Sequence, residues 1–334
     1  MPENIKICII SFDNWHYDKE IITALQKKNI NANHINLGKY KHKNIFHRCK
    51  NAFFKLFFNK NLKFKKRQEF ILETLTKLGF QDHILVLNPD LIEIDFHNKI
   101  KQHTNRYIAY LYDSIARSKY PIEHLLKGIF DEIYSFDNDD VLKYNFKKID
   151  NYIYLNKSEN VLKTKYKVVT VSSFDKRFSS FNTIANQLLE VNYSFEFIFV
   201  SRNVFYKLFK YKQKTNEKIN GKIKFQSKKI NLQEVKSLYN NSDIILDLVQ
   251  GFQSGLSFRV FESLALQKKL ITNNSNIMNF DFYNPNNILV IESHFNFKNS
   301  FFETPYEPIP DYIYNKYTVE SWVDTIFELK SSIK

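Results

Sequence analysis

Residues 254–265 bring together side chains suited to a phosphorylated ligand: Ser254-Gly255-Leu256-Ser257-Phe258-Arg259, then Val260-Phe261-Glu262-Ser263-Leu264-Ala265. The second half reads as a helix from Phe258 to Leu266. A glycine loop that opens a helix offers backbone N–H groups and the positive end of the helix dipole to a diphosphate. Gly255 permits close backbone approach, Ser257 stands at the helix start, and Arg259 is a cation of the type that binds phosphate. Glu262 can accept hydrogen bonds from two ribose hydroxyls. A second basic pair, Lys176-Arg177, follows an apolar run at Tyr166–Val171. Arginine suits bidentate phosphate contact, and lysine acts as a point charge.

Transfer to a hydroxyl also needs a group that takes up its proton. Asp13 and His16 lie in the loop after the apolar run that begins at Lys6, and Asp113 follows the run Arg106–Tyr112. These three are the catalytic candidates, with Asp13 or His16 as base and Asp113 lining the acceptor side. Each fits a helix cap or a turn equally well. Asp137-Asn138-Asp139 formally matches an Asp-x-Asp metal motif, but between a strand and a helix its plainer reading is an N-cap. No Cys/His spacing typical of a zinc site occurs. No cofactor and no essential metal are expected.

The elements that position these groups alternate. Strands are expected at Lys6–Phe12, Asn33–Leu37, His83–Leu87, Arg106–Tyr112 and Glu132–Phe136. A second set follows at Tyr166–Val171, Phe195–Val200, Lys222–Phe225, Asp243–Leu248, Lys269–Thr272 and Asn287–Ile291. Helices lie between many of them, including Lys19–Lys28, Gln68–Leu78, Ser180–Glu190 and Leu232–Tyr239, the last capped by Asn231. Strands alternating with helices imply parallel sheets covered on both faces. The boundary falls in the polar stretch near Asn156–Asn160, so the domains are read as 1–160 and 161–334, the second closed by an amphipathic helix at Tyr317–Leu329. At 334 residues the chain suits two domains. Ligands of such sheets sit beyond the carboxyl ends of the strands, where the candidate residues fall.

Net charge is +14, and eleven Lys/Arg with no Asp or Glu lie between Lys39 and Arg67. The same segment carries Phe46, Phe53, Phe54, Phe57, Phe58 and Phe64 at helical steps. It reads as a packed helix with a solvated basic face, as a helix lying on an anionic membrane, or as a nucleic-acid patch. No recognition motif accompanies the last, and no nucleic-acid partner is expected. The chain shows no run of 18 apolar residues and no signal sequence. Two cysteines, Cys8 and Cys49, cannot build a disulfide framework. A cytoplasmic protein is expected, peripheral on the inner face of the membrane if the basic segment docks.

The segment from Ser254 to Ala265, followed by Lys268-Lys269-Leu270-Ile271-Thr272-Asn273-Asn274, resembles the donor-binding motif of GT-B glycosyltransferases. It is similar to bacterial lipopolysaccharide and capsule enzymes allied to the CgeB-like group. Tyr110-Leu111-Tyr112-Asp113-Ser114, Phe130–Asp137, Ile244-Ile245-Leu246-Asp247 and Asp281–Asn287 agree in order, so the resemblance covers residues from about 105 to 292. It implies an α/β GT-B fold, two Rossmann-like domains facing each other across a cleft, and a nucleotide-sugar donor in the second. It further implies a glycan or lipid-linked acceptor and a role in cell-surface polysaccharide synthesis. Lys176, Arg177, Gly255, Ser257, Arg259 and Glu262 would then bind the donor. Related retaining enzymes carry two glutamates with seven residues between them. Glu262 matches the second, and Ser254 stands at the first, which removes that contact and any inference about anomeric outcome. The competing class is a catalytically inactive GT-B-like protein acting in membrane docking or assembly.

Overall fold

The computed structural model describes residues 5–13, 17–38, 62–87, 89–118, 122–158, 164–201, 219, 221–228, 230–251, 253–292 and 300–329. His16, Cys49 and the basic segment up to residue 61 lie outside the described residues. The chain divides into two compact units, residues 1–150 with 319–334, and residues 151–318.

In the first unit, β1 (Lys6–Ser11), β2 (Asn31–Asn36), β3 (Gln81–Leu87), β4 (Thr104–Leu111), β5 (Glu132–Ser135) and β6 (Lys147–Lys148) form one sheet in the order β2-β1-β3-β4-β5-β6. Every pairing is parallel. Ile7-Cys8-Ile9-Ile10 is wholly buried, as a parallel strand covered on both faces must be. Helices α2 (Leu62–Leu78) and α3 (Ile94–Lys101) cover one face through Ile71, Leu75, Phe96 and Ile100, packed with Cys8, Ile84 and Tyr107. The Cys8 thiol, buried there, is pushed up to about 12. α1 (Asp18–Lys27) follows β1, and α4 (Asn138–Tyr144) follows β5.

The second unit holds β7 (Tyr166–Ser173), β8 (Phe195–Val200), β9 (Ile223–Gln226), β10 (Ser242–Asp247), β11 (Lys269–Thr272) and β12 (Ile288–Val290) in the order β12-β11-β10-β7-β8-β9, again all parallel. α5 (Phe178–Glu190) packs Phe178, Phe181 and Leu188 on one face, against Val168, Phe197 and Leu246. α6 (Leu232–Asn240) and α7 (Phe258–Ala265) cover the other with Leu238, Tyr239, Val260, Phe261 and Leu264. Asn231 caps α6, its side chain accepting from Glu234 N at 2.9 Å. Counted from the first strand of each unit, the second sheet has the 3-2-1-4-5-6 order of dinucleotide-binding sheets. The first, among the described residues, has the flavodoxin-like 2-1-3-4-5 order with one further edge strand. Both are doubly wound α/β sheets.

The final helix corrects the expected partition. α8 (Val319–Phe327) belongs to the first unit, although the sequence placed it with the second domain. Trp322, Val323, Ile326 and Phe327 are buried, and each such side chain contributes roughly 1.5–3 kcal/mol when removed from water. The Trp322 ring meets Tyr110 edge-on at 5.1 Å, and its Nε1–H donates to the Asp150 carbonyl at 3.1 Å. Lys28 of the first unit pairs with Asp324 at 2.9 Å. α2 also begins at Leu62, six residues before the expected start, because its basic first turns are helical too.

Candidate functional site

A doubly wound sheet has a crevice where neighbouring strands send their chains in opposite directions. In the second unit that point lies between β7 and β10. The loop after β7 carries Asp175, Lys176 and Arg177, and the loop after β10 carries Gly251, Gly255 and Ser257.

Side chains tie the two loops together. Arg177 forms a bidentate pair with Asp175, Nε to Oδ1 at 2.9 Å and Nη2 to Oδ2 at 2.6 Å, and its Nη1 donates to the Leu248 carbonyl at 2.7 Å. Gln250 donates to the same Asp175 carboxylate at 3.4 Å. Arg177 is thus held by a carboxylate and a backbone carbonyl, whereas Lys176 is exposed on the same turn. Formal charges of Asp175, Lys176 and Arg177 sum to one positive charge.

Beneath the second loop, the fully buried Asp247 ends β10. Its Oδ2 accepts from Ser257 Oγ at 2.8 Å and its Oδ1 from Arg259 Nε at 2.7 Å, while Arg259 Nη1 donates to the Val171 carbonyl at 3.2 Å. Burial is the largest influence on Arg259 and works against its charge, but the Asp247 carboxylate, Tyr239 and Glu262 together outweigh it and hold the guanidinium above its ordinary value. Ser257 is the N-cap of α7, accepting from Arg259 N at 3.2 Å. Arg259 therefore braces the start of α7.

Gly255 is buried, and its carbonyl accepts from Asn274 Nδ2 at 3.1 Å and Gln253 Nε2 at 3.0 Å. Asn273 holds the loop's other arm, with Oδ1 accepting from Val249 N at 2.7 Å. Glu262 is 3% exposed, and its carboxylate accepts from the Tyr154 hydroxyl. Its negative charge and burial together push the Tyr239 phenol well up, burial being the larger cause.

In the first unit the corresponding point lies between β1 and β3. Asp13 sits there with φ 42°, a left-handed conformation that aspartate tolerates better than most residues. Its Oδ1 accepts from Asp18 N at 3.2 Å, and its Oδ2 from Asn36 Nδ2 at 3.3 Å. Both carboxylate oxygens thus tie the loop to α1 and β2. Gly38 is required beside it, since a Cβ there would fall 2.5 Å from the Phe12 carbonyl.

Asp18, 4% exposed, accepts from the Tyr112 hydroxyl at 2.5 Å. Burial pushes its carboxyl up to about 6; hydrogen bonds from Ser11 and Tyr112 oppose the rise, and the Asp13 charge adds to it. Asp113 lies half-exposed next to Tyr112 after β4, paired with Arg117 at 2.8 Å. Asp137 caps α4, accepting from Asp139 N at 3.1 Å and Asp140 N at 3.4 Å, which is the N-cap reading of that triplet. Among the described residues, no group of three or more His, Cys, Asp or Glu side chains is placed to hold a metal, and no helix is long and apolar enough to cross a membrane.

Asp18, Tyr112, Asp247 and Asn274 had no expected role, although the last three stand within the motif stretches. A signal was present at Asp247, a carboxylate ending an apolar strand twelve residues before an arginine.

No protein-family model matches the chain, and no curated protein matches it in sequence. Solved structures do match in fold. HepE from Anabaena, in complex with UDP-glucose, aligns over 98% of this chain and 100% of its own with a TM-score of 0.61 at 11% identity. The lipopolysaccharide outer core galactosyltransferase WaaB aligns over 97% and 99% with a TM-score of 0.55 at 12% identity. A UDP-GlcNAc 2-epimerase from Methanocaldococcus jannaschii aligns over 97% and 100% with a TM-score of 0.54 at 16% identity. The chain has the GT-B fold, two doubly wound α/β units.

Proposed function

We propose that the protein is a glycosyltransferase that moves a sugar from a nucleotide-sugar donor to a glycan or lipid-linked acceptor in cell-surface polysaccharide synthesis. The observation that carries the reading is the convergence at the β7/β10 crevice. Exposed Lys176, the Ser257-capped start of α7 and the Gly255 loop meet there in a dinucleotide-binding strand order. In this reading Lys176 and the α7 start meet the diphosphate, Arg177 and Arg259 keep their loops in place, and Glu262 meets the ribose after exchanging its Tyr154 partner. On the acceptor side Asp13, His16 and Asp113 are the candidates. The kinship to the CgeB-like group rests on the motif resemblance, and the cell-surface role is supported by the fold shared with WaaB.

Calorimetry with UDP, GDP and CDP tests the donor reading, with nucleoside diphosphate binding tighter than the nucleoside expected. Product analysis with the sugar derivative of the bound nucleotide then separates transfer from epimerisation. A specific observation favours the second reading, a catalytically inactive protein of this fold acting in membrane docking or assembly. Glu262, Arg177 and Arg259 all have internal partners. That reading expects no nucleotide to bind.

The basic segment from Lys39 to Arg67 is proposed to rest on an anionic membrane, which would bring a lipid-linked acceptor to the protein. Cytoplasmic location and independence from metal belong to the same proposal.

A further inference from the structure

The polar cluster at the carboxyl edge of the first sheet contains more than the candidates expected there. Asp18 opens α1 after β1, and Tyr112 follows β4, with β3 between the two strands. Their hydrogen bond of 2.5 Å therefore reaches across the end of β3, at the point where the sheet reverses direction. Asp18 is almost wholly buried while Tyr112 is half-buried, so the tyrosine lies on the outer side of the pair.

The groups facing Asp18 are few among the described residues. From β1 and its loop come Ser11, which hydrogen-bonds to it, and Asp13, whose carboxylate accepts the Asp18 N–H at 3.2 Å. Ser11 Oγ and His34 Nε2 of β2 lie 2.8 Å apart. From β4 comes Tyr112. The charged residues of α8 that pair with α1, Glu320 and Asp324, do so at its opposite end through Lys27 and Lys28. No cation is paired with Asp18 in this set. Asp13 spends both oxygens on its own loop, whereas Asp18 presents a carboxylate oxygen directly to a hydroxyl.

We propose that Tyr112 and Asp18 form a proton relay for the acceptor, with Tyr112 touching the incoming hydroxyl and Asp18 behind it as the proton-holding, positioning residue. The inference rests on the glycosyl-transfer reading above. The acceptor oxygen forms its bond to the anomeric carbon, and the bond from that carbon to the diphosphate oxygen breaks. The nucleoside diphosphate leaves with the electron pair. The acceptor proton passes to Tyr112 Oη, whose own proton passes to Asp18 Oδ1, and Asp18 later releases it to water. Asp18 must begin this step ionised. Its elevated carboxyl, about 6, makes it a better proton acceptor than an ordinary aspartate while leaving it largely ionised above neutral pH.

The test uses the full chain as wild type, Asp18→Asn and Tyr112→Phe, with UDP as the binding probe and UDP-glucose with water as the turnover probe. UDP affinity is expected to be the same in all three, because both residues lie in the first unit. Turnover should fall about 100-fold or more in each variant, the scale of lost acid–base assistance. Wild-type turnover should rise with pH through an inflection near 6 that Asp18→Asn abolishes. A carboxyl titration on aspartate-labelled protein gives a readout independent of turnover. Asp18, Asp90 and Asp140 should all titrate near 6. One of these three titrations should vanish in Asp18→Asn, and that same one should move upward in Tyr112→Phe, since the Tyr112 hydrogen bond favours the ionised form. Full turnover by Tyr112→Phe, or a titration that it leaves unchanged, overturns the relay. Failure of the wild type to bind any nucleotide strikes the donor reading instead, and the titration still decides whether the Tyr112–Asp18 couple operates. A pair that only braces the fold would lower stability in both variants and leave the acid limb of the pH profile in place.

Discussion

Asp247 and Arg259 form a buried ion pair, Oδ1 to Nε at 2.7 Å, that joins the end of β10 to the first turn of α7. The carboxylate has no exposure at all, while the guanidinium keeps 19% of its side-chain surface. The same carboxylate accepts the Ser257 hydroxyl, so one residue sets both the N-cap and the cation behind it. In the donor reading proposed above, that arrangement would fix the backbone N–H groups of the loop before the diphosphate arrives, which limits the ordering cost of binding.

Removing one partner of this pair should be more damaging than removing both. Arg259→Ala leaves a buried carboxylate with only Ser257, and the loss is expected at about 3–5 kcal/mol in urea denaturation. The double variant Asp247→Leu/Arg259→Met should recover most of that stability, yet bind UDP more weakly because the capping Ser257 loses the carboxylate that orients it. If the double variant is as unstable as the single, the pair contributes through packing rather than through charge.

The charge on the β7 loop makes an opposite pair of predictions for adjacent residues. Lys176→Ala should weaken UDP binding more than uridine binding and leave stability within about 0.5 kcal/mol, as for an exposed surface residue. Arg177→Ala should lower stability, since Asp175 and the Leu248 carbonyl lose their shared donor. Glu262→Ala should weaken UDP by about 1.5–3 kcal/mol, the scale of a hydrogen bond to a charged group. Calorimetry on the three variants checks all of these, and unchanged UDP binding in Glu262→Ala removes it from the ribose contact.

His97 predicts a pH dependence of stability. It is fully buried; its Nε2 lies 2.9 Å from the Pro89 carbonyl and its Nδ1 2.7 Å from the Tyr107 hydroxyl. A carbonyl can only accept, so Nε2 carries the hydrogen and Nδ1 accepts from Tyr107. This is the neutral ring. Burial lowers its value to about 4, the Pro89 hydrogen bond partly opposing and His124 adding. The unfolded ring, near 6.5, takes up its proton first as pH falls. The contribution is therefore present above pH 6.5 and lost progressively down to about pH 4, on the order of 3 kcal/mol in total. Asp18 and Asp140, whose folded carboxyls sit near 6, act in the reverse sense, stabilising most at low pH. Comparing wild type with His97→Leu across pH 4 to 7.5 cancels those acids, and parallel curves would remove His97 as the cause.

How far the sequence could be read follows from the range of the interactions involved. β11 is found at Lys269–Thr272 as expected, because four consecutive residues between turn signals need no distant partner to be recognised. α3, Ile94–Lys101, was not foreseen, since its eight residues follow a Pro89 turn and give too short a periodic run. The Gly255 loop and the Ser257 cap were legible as local chemistry. The partners that decide their roles were not: Tyr154 meets Glu262 across 108 residues, and Tyr112 meets Asp18 across 94. Composition gives no signal of such pairings. The carboxylate partners of Arg177 and Arg259 stand nearer in sequence, Asp175 two residues away and Asp247 twelve, but only the loop geometry pairs them.

Asn274 makes a narrower prediction about the loop itself. Its Nδ2 donates to the Gly255 carbonyl at 3.1 Å, and its Oδ1 accepts from Asn276 N at 3.2 Å. Asn274→Ala should cost about 1–3 kcal/mol, the desolvation left on buried groups that lose a partner. UDP affinity should fall with it, while Asn286→Ala, farther along the chain and bonded to the exposed Pro305 carbonyl, should leave UDP binding unchanged.

The basic segment supplies the last prediction. Eleven cations and no acids between Lys39 and Arg67 should draw the protein to anionic vesicles, each cation near the surface contributing about 1 kcal/mol. Attraction should weaken as salt shortens the Debye length. The fold refines which residues to change. Lys65 is exposed on α2, whereas the Arg67 guanidinium carbon lies 4.9 Å from the Phe12 ring centroid and joins the packing beside β1. Replacing Arg67 would therefore disturb the fold as well as the charge. The variant that spares Arg67 is Lys63→Gln/Lys65→Gln/Lys66→Gln, which removes three positive charges and should lower sedimentation with phosphatidylserine vesicles. Wild-type protein should stay in the supernatant with neutral phosphatidylcholine vesicles. Equal sedimentation with both lipids, or with neither, would refute docking and leave the segment as a packed helix with a solvated basic face.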